Sequence, residues 1–303
     1  MLDICLLGTG GTMPLPGRWL TSMIASYKGR MTLMDCGEGT QITLKMLGWG
    51  FKAIETICFT HYHADHVAGL PGMLLAIGNA GRTEPLTIMG PPGVFEVVRG
   101  LTVIAPYLPY DIKMTEVSIQ RQTTRVNEGF HLHTLPVQHT VPCLAYCIEI
   151  ERGRKFNPQQ AQALAVPVPL WKTLQKGEEV VHEGETVTPD MVLGPPRRGI
   201  KVCYCTDTRP VEPLVSFIEG ADLFICEGMY GEDGFLEKAE EHGHMLFSEA
   251  ASLAQRGGVK ELWLTHYSPS LTEPEQYIGN ARVVFPNSFL GEERMTKHLA
   301  FQN

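Results

Sequence analysis

Short apolar runs alternate along this chain with stretches of helical periodicity, and glycine, proline or polar residues separate them. The apolar runs predict strands at residues 3–7, 22–27, 31–35, 56–59, 86–89, 116–120, 130–137 and 144–151, then at 201–206, 223–226 and 261–265. The periodic stretches predict helices at residues 41–47, 67–77, 93–105, 235–241, 247–256 and 274–281. We expect Ser248 and Thr272 to begin the last two helices. Two blocks of strands flanked by helices predict the α/β class, with two mixed sheets packed face to face in a four-layer αββα sandwich.

A long segment interrupts this pattern at residues 153–199, which are rich in proline and show little periodicity. A connection of this length in a compact enzyme is usually functional or mobile. We therefore predict one domain, residues 1–303, from which this segment protrudes as a candidate substrate arm. Basic residues lie at both of its ends, with Arg152, Arg154 and Lys155 opening it and Arg197, Arg198 and Lys201 closing it. These side chains are interpreted either as phosphate contacts or as solvated loop charges.

The composition is that of a globular protein rather than a disordered one, with 44% hydrophobic and 19% charged residues. No apolar run reaches the roughly 20 residues that a membrane span needs, and the start lacks the basic region of a signal peptide. We expect a cytoplasmic protein whose eight cysteines are buried, reduced thiols. Cys203 and Cys205 are open to a second interpretation as a ligand pair, although core packing is favoured. The net charge of -8 argues against a broad surface for long nucleic acid, so no DNA partner is expected.

Residues 60–66 carry three imidazoles and a carboxylate directly after an apolar run. In a strand, His61 and His63 would point to the same face, and the following turn would bring Asp65 and His66 to an adjacent position. The segment would then present two ligand pairs to two neighbouring cations. Neutral imidazoles and carboxylates suit zinc, with manganese or iron as substitutes. The alternative is a set of structural histidines, each needing its own hydrogen-bond partner.

Three later residues, His139, Asp207 and His266, also follow an apolar run at the start of a turn. Strand ends are where loops of layered α/β folds assemble reactive groups, so these side chains are expected to join the first cluster. Each alone has an ordinary alternative as a cap or turn residue. Two cations about 3.5 to 4 Å apart can activate a water and hydrolyse a phosphodiester. None of the serines lies in the Gly-x-Ser-x-Gly setting of a nucleophile.

Further motifs accompany the pattern His61-x-His63-x-Asp65-His66. They are Gly8-Thr9-Gly10-Gly11, Asp35-Cys36-Gly37-Glu38-Gly39, Gly69-Leu70-Pro71-Gly72 and Asp207-Thr208-Arg209. In this combination the sequence resembles the metallo-β-lactamase superfamily and, within it, the ribonuclease Z family of tRNA 3′-processing endonucleases. The histidine motif alone specifies only the superfamily, whereas the other motifs point to the ribonuclease Z branch. The resemblance spans nearly the whole chain and implies the metallo-β-lactamase fold.

The resemblance also implies a role for each site residue. One zinc ion would be held by His61, His63 and His139, the other by Asp65, His66 and His266, with Asp207 bridging the two. Asp65 would in addition orient or deprotonate the attacking water. Glu227 and His244 would together protonate the leaving 3′-oxygen, with His242 as the alternative proton donor. The implied partners are a tRNA precursor and a second copy of the chain, since in this family the arm of one subunit holds the tRNA that the other cleaves.

Some stretches depart from the family pattern. Cys226 stands where the family has a histidine before the glutamate, Met245 and Leu246 replace Ser-Thr, and residues 164–171 lack the glycines of the family arm. The altered arm and the acidic charge keep a second hypothesis open, a small-molecule hydrolase of the same fold such as a cyclic-nucleotide phosphodiesterase, an arylsulfatase or a lactonase. A third hypothesis is a metal-containing RNA-binding or scaffold protein without turnover.

Overall fold

Two seven-stranded sheets form the body of the protein in a computed structural model that describes residues 1–127 and 130–302. Its strands are β1 Leu2–Gly8, β2 Ser22–Tyr27, β3 Arg30–Met34, β4 Ile54–Cys58, β5 Leu86–Gly90, β6 Ile112–Glu116, β7 Gln122–Asn127, β8 Phe130–Val137, β9 Cys143–Arg152, β10 Val180–His182, β11 Glu185–Val187, β12 Arg197–Cys205, β13 Leu223–Glu227, β14 Leu262–Thr265, β15 Ser288–Leu290 and β16 Thr296–Leu299. Its helices are α1 Thr40–Leu47, α2 Ala64–Val67, α3 Leu70–Asn79, α4 Val94–Thr102, α5 Pro158–Ala163, α6 Val168–Gln175, α7 Glu212–Ile218, α8 Leu236–His242, α9 Phe247–Arg256 and α10 Ile278–Val284.

The two large sheets are mixed. The first has the strand order β16-β1-β2-β3-β4-β5-β6 and the second β15-β14-β13-β12-β9-β8-β7, while β10 and β11 form a separate hairpin. In each large sheet a parallel half adjoins an antiparallel half, as in the β3–β4 and β2–β3 pairs of the first. Parallel neighbours need crossover connections, and the helices supply them on the outer faces.

Side chains alternate between the two faces of each strand and so reach two different cores. Along β1, Leu2, Ile4 and Leu6 face the core between the sheets, whereas Cys5 and Leu7 face α1, α3 and α4. The outer face of the second sheet packs on α7, α9 and α10. The predicted four-layer αββα sandwich is therefore confirmed. Among the described residues, no helix has both the length and the apolar content to cross a bilayer.

Some element predictions are wrong in detail. The strand predicted at 116–120 lies earlier, at Ile112–Glu116. The helix predicted at 67–77 is divided into α2 and α3, because Pro71 lies in the first turn of α3 and has no N–H for a continuous helix. Ser248 lies inside the first turn of α9 instead of capping it, and a 3-10 turn beginning at Pro274 follows Thr272.

The proline-rich segment is a folded arm rather than an irregular connection. It contains α5, α6 and the β10–β11 hairpin around a small core that includes Ala161, Leu174 and Val192. The last residues of the segment predicted as an arm, 153–199, form the beginning of β12 at Arg197. Arg197 pairs with Arg152 at the base of the arm.

Both basic clusters lie at this base, and several of their side chains are engaged within the chain. Arg154 bonds Asp190, Arg198 bonds Asp222, and Lys201 donates to the carbonyl of Glu219. Cys203 and Cys205 are buried in the core beneath α7 and α9, which settles their interpretation in favour of packing.

Candidate active site

The predicted site residues meet at one edge of the two sheets, in the loops that follow strand ends. The histidine motif follows β4, His139 follows β8, Asp207 follows β12, Glu227 ends β13 and His266 follows β14. One expectation is wrong: β4 ends at Cys58, so His61 and His63 lie in a loop and not in a strand. The backbone N–H of Thr60 donates to Asp35 Oδ1 at 2.8 Å instead of to a neighbouring strand.

A first cluster joins His61, His63, His139 and Asp207. His139 Nε2 lies 3.2 Å from His63 Nδ1. Asp207 Oδ2 lies 3.6 Å from the Nε2 atoms of both His61 and His139. One oxygen of the Asp207 carboxylate therefore faces this cluster.

A second cluster joins Asp65, His66 and His266, and it shares Asp207 with the first. His66 Nε2 lies 3.2 Å from His266 Nε2, and Asp65 Oδ2 lies 3.4 Å from the latter. Asp207 Oδ1 lies 3.1 Å from His66 Nε2 and 3.2 Å from His266 Nε2. Asp207 thus turns one carboxylate oxygen to each cluster.

These donors fit metal cations. Ligands about 2.0–2.1 Å from one tetrahedral ion lie about 3.3 Å from each other, close to the separations above. His61 Nε2 and Asp207 Oδ1 are buried and have no hydrogen-bond partner among the described residues. Burial lowers the pKa of His61 and His139, which favours the neutral imidazole that coordinates a cation. The site therefore has the donors and the unsatisfied atoms of a metal centre.

Asp35 is a buried residue of the site that the sequence placed only in a motif, without a role. His66 Nδ1 lies 2.9 Å from Asp35 Oδ2, and Thr60 Oγ1 donates to the same oxygen at 2.9 Å. The Tyr204 hydroxyl also donates to it, at 3.3 Å. A carboxylate on Nδ1 turns the other ring nitrogen of His66 toward the metal cluster. The only sequence signal for a role of Asp35 was its position as an acidic residue at the end of the strand predicted at residues 31–35.

The backbone around the site is constrained. Asp207 and His266 adopt left-handed φ values of 26° and 59°, which residues other than glycine rarely adopt. Gly11 packs directly on His266, where a Cβ would lie 2.8 Å from the imidazole Cε1. The neighbouring Thr12 N–H donates to Asp65 Oδ2 at 2.6 Å. The glycine-rich turn after β1 thus positions two of the candidate ligands.

His244 and Glu227 form a pair beside both clusters, with the His244 ring centroid 5.2 Å from that of His139 and 5.5 Å from that of His266. His244 Nδ1 lies 3.2 Å from Glu227 Oε2, and the buried Glu227 carboxylate also accepts from the backbone N–H groups of Thr208 and Met245. Burial by itself lowers the pKa of His244, but the carboxylates of Glu227, Asp207 and Asp65 together outweigh it, Glu227 most of all, and raise this pKa to about 9. His242 is exposed at the edge of the cleft. The contact with Glu227 distinguishes His244 from His242.

A cleft of about 600 Å³, which we call the metal cleft, gives access to these groups. The side chains at its floor are His63, Asp65, His139, Asp207, His244 and His266, and Tyr230, Lys238 and His242 lie among its walls. A phosphate group entering this metal cleft would meet the donors of both clusters and His244.

Comparison with known proteins places the chain in a family. Family models match two parts of it, the anti-Pycsar protein Apyc1 at residues 2–92 and a β-lactamase superfamily domain at residues 144–267. Ribonuclease Z of Clostridium acetobutylicum is 52% identical over 308 residues, which cover 100% of each chain. Ribonuclease Z of Agathobacter rectalis is 53% identical over 99% of each chain.

Solved structures agree on the fold. The short form of human tRNase Z matches with a TM-score of 0.72 and 23% identity, over 99% of this chain and 100% of that one. The metallo-β-lactamase fold protein YhfI of Bacillus subtilis matches with a TM-score of 0.70 and 20% identity, over 98% of each. These likenesses confirm the metallo-β-lactamase fold. Because the identity to the curated relatives extends over the full length, this chain belongs to the ribonuclease Z family.

Proposed function

We propose that this protein is a zinc-dependent endoribonuclease that removes 3′ trailers from tRNA precursors. One observation carries the proposal: Asp207 joins two clusters of metal-ligand side chains beside the His244–Glu227 pair. The relatives named ribonuclease Z, at about half identity over the whole chain, supply the substrate class.

The two clusters are proposed to hold one zinc ion each, with the ligand sets His61, His63, His139 and Asp65, His66, His266, and with Asp207 bridging. Imidazole and carboxylate donors suit zinc, and manganese or iron would be substitutes. A pair of such ions, when bound, supplies an activated water and neutralises charge on the phosphate. The bond from Thr12 to Asp65 supports a role for Asp65 in orienting that water, because it fixes the carboxylate.

His244 is proposed as the donor of a proton to the leaving 3′-oxygen. Glu227 accepts from Nδ1 of His244, which leaves Nε2 for the substrate. Two backbone N–H groups hold Glu227 in place, so its carboxylate also fixes the ring orientation. Cleavage in this sense leaves a 3′-hydroxyl on the tRNA and a 5′-phosphate on the trailer.

The arm is proposed to hold the tRNA body for the metal centre of a partner subunit in a homodimer. β12 runs from Arg197, at the base of the arm, to Cys205, two residues before Asp207. At roughly 3.3 Å per residue, about 30 Å separates that base from the metal centre of the same subunit. An apolar face for subunit contact is available on α1 and α3, where Ile42, Met46 and Leu75 are 44%, 59% and 42% exposed.

The cytoplasm is proposed as the location, and DNA is not proposed as a partner. All eight cysteines are free and buried, which is typical of a reducing compartment. The net charge of -8 disfavours an extended surface for duplex DNA.

The test is incubation of a 3′-extended precursor tRNA with the protein, with and without a chelator, followed by gel analysis of the products. We expect one cut, loss of cutting with the chelator and its return with added zinc. Asp65→Ala should abolish cutting while circular dichroism stays unchanged. Turnover of bis(p-nitrophenyl) phosphate without any cutting of the precursor would contradict the proposal and favour the small-molecule hydrolase.

A further inference from the structure

A second cleft adjoins the metal cleft and has a different chemistry. Its volume is about 190 Å³, and its walls combine the aromatic rings of Tyr230, Phe235 and Tyr277 with the polar side chains of Glu232, Ser270, Thr272, Glu273 and Gln276. Tyr230 and Ser270 line both clefts. The two clefts, the second of which we call the aromatic cleft, are therefore neighbours, close enough for one extended substrate to contact both.

Phe235 is the exposed ring of the aromatic cleft. Its side chain is 43% exposed, and one face stacks on the buried Tyr230 with 5.7 Å between centroids and 24° between planes. The exposed part of the ring is accessible to a ligand beside the Lys238 side chain. A single exposed phenylalanine is ordinary on a protein surface, but this one is backed by a second ring and lines a cleft that adjoins the candidate metal site. Nucleobases stack on such platforms in proteins that bind single-stranded RNA.

Charge separates the two clefts. Lys238 and His242, one turn apart on α8, both line the metal cleft, where a cation would attract a phosphate. Lys238 Nζ lies 5.4 Å from the Tyr230 centroid and 6.0 Å from that of Phe235. The aromatic cleft is instead lined by the carboxylates of Glu232 and Glu273, which repel a phosphate and can accept from base N–H groups. It therefore suits an uncharged base, with the phosphate beside Lys238.

The position of Tyr230 indicates which nucleotide of the substrate would place its base in the aromatic cleft. Its N–H donates to the carbonyl of Met245, and its own carbonyl accepts from the N–H of Phe247, so it lies beside the segment that carries His244. The nucleotide on this side of the metal centre is the one whose 3′-oxygen His244 is proposed to protonate.

We propose that the aromatic cleft binds the base of the nucleotide immediately 5′ of the cleaved bond, stacked on the exposed ring of Phe235. The proposal rests on the function proposed above and adds a base-binding subsite to it. That base belongs to the last nucleotide of the tRNA product, so the subsite contributes to the choice of the cleaved bond.

The experiment measures kcat/KM on three precursor tRNAs, which are intact, abasic at the nucleotide 5′ of the cut, or abasic at the nucleotide 3′ of it. For the wild-type protein we expect a loss of about 10-fold with the 5′-abasic substrate, within the range for one stacked base, and little loss with the 3′-abasic one. Phe235→Ala and Phe235→Leu should show the same loss on the intact substrate and no further loss on the 5′-abasic one. Phe235→Tyr should stay close to wild type, since it keeps the ring.

Leu236→Ala is the matched control, because Leu236 is 42% exposed and adjoins Phe235 but is absent from the described residues that line the two clefts. It should cleave like the wild type. Wild-type rates for Phe235→Leu, or equal losses from both abasic substrates, would overturn the subsite while precursor cleavage still upheld the proposed function. Circular dichroism and metal content of each variant would exclude a folding defect.

Discussion

Individual residues at the metal centre are fixed by contacts that few other side chains could satisfy. Asp207 turns one oxygen to each cluster and has a left-handed backbone conformation. His266, in the loop after β14, has a left-handed backbone conformation too. Such conformations cost on the order of 1–3 kcal/mol each and persist where the surroundings over-determine them. The site is therefore built from positions that favour function over local stability.

At Gly11, we predict that Gly11→Ala lowers zinc affinity by about 10- to 100-fold, the range for disturbed support of a ligand. The new Cβ would lie 2.8–3.0 Å from three atoms of the His266 imidazole, which is buried and cannot move freely. Metal titration measures the effect. The control is Gly100→Ala, where the added Cβ meets nothing within 4 Å. Equal affinities in the two variants would show that His266 tolerates displacement.

At His244, we predict that His244→Ala slows precursor cleavage by about 10²- to 10⁴-fold, the usual contribution of a proton donor. The zinc content should remain near that of the wild type, because His244 Nδ1 contacts Glu227 at 3.2 Å and lies 3.9 Å from Asp207 Oδ2. His242→Ala should cost far less. Since His244 also lies close enough to Asp207 and His266 to form a third ligand group, loss of zinc from His244→Ala would make it a ligand instead.

At the scale of elements, an ion pair joins the loops that carry the site. Arg209 donates to both carboxylate oxygens of Glu249, at 2.5 and 2.9 Å, and to the carbonyl of His244 at 2.5 Å. Glu249 also accepts from the backbone N–H of Leu246 at the start of α9. The turn after Asp207, the loop of His244 and α9 are therefore held as one unit.

We predict that Glu249→Gln lowers the free energy of unfolding by about 1–3 kcal/mol, the range for hydrogen bonds to charged groups. It should also slow precursor cleavage, because Arg209, which donates to the carbonyl of His244, loses the carboxylate that orients it. Denaturant unfolding and single-turnover kinetics measure the two effects. The matched control is Glu212→Gln, which breaks the exposed pair with Arg256 and should cost at most about 1 kcal/mol. Unchanged cleavage in Glu249→Gln would restrict the pair to a structural role.

For the whole molecule, we predict that the arm is a separable unit. It has its own small core, and its two chain segments meet where Phe156 bridges Leu193 in antiparallel fashion. An Asn-Gly turn can join two such paired positions. The body of the protein should therefore tolerate removal of residues 157–192.

We predict that replacing residues 157–192 by Asn-Gly weakens precursor tRNA cleavage far more than hydrolysis of bis(p-nitrophenyl) phosphate. If the arm serves a partner subunit, mixing this variant with Asp65→Ala should restore tRNA cleavage, because the mixed dimer has one intact metal centre facing one intact arm. Gel assays of the single variants and of the mixture measure both effects. Equal loss on both substrates would make the arm structural, and no recovery on mixing would contradict the exchange between subunits.

Much of the molecule was determined by local sequence. Apolar runs located most strands, because the pattern of apolar side chains along a strand is a local property of the sequence. The two series of strands then predicted the αββα layers. The motif at residues 60–66 and the residues after later strands named the seven candidate ligands, since strand ends of such folds converge at one edge. The proline-rich stretch marked the arm but not its helices and hairpin, whose short elements are stabilised by packing in a small core.

Only the tertiary structure decided how these residues act together. The support of His66 by Asp35, the anchoring of Asp65 by Thr12, the pair of Arg209 with Glu249 and the aromatic cleft all join parts of the chain that periodicity cannot relate. The loop of His61 and His63 begins where the N–H of Thr60 donates to Asp35, a residue that follows a different strand. Local sequence determines which strand or helix forms and which residues follow it. The distances between residues that follow different strands are decided only when the two sheets pack together.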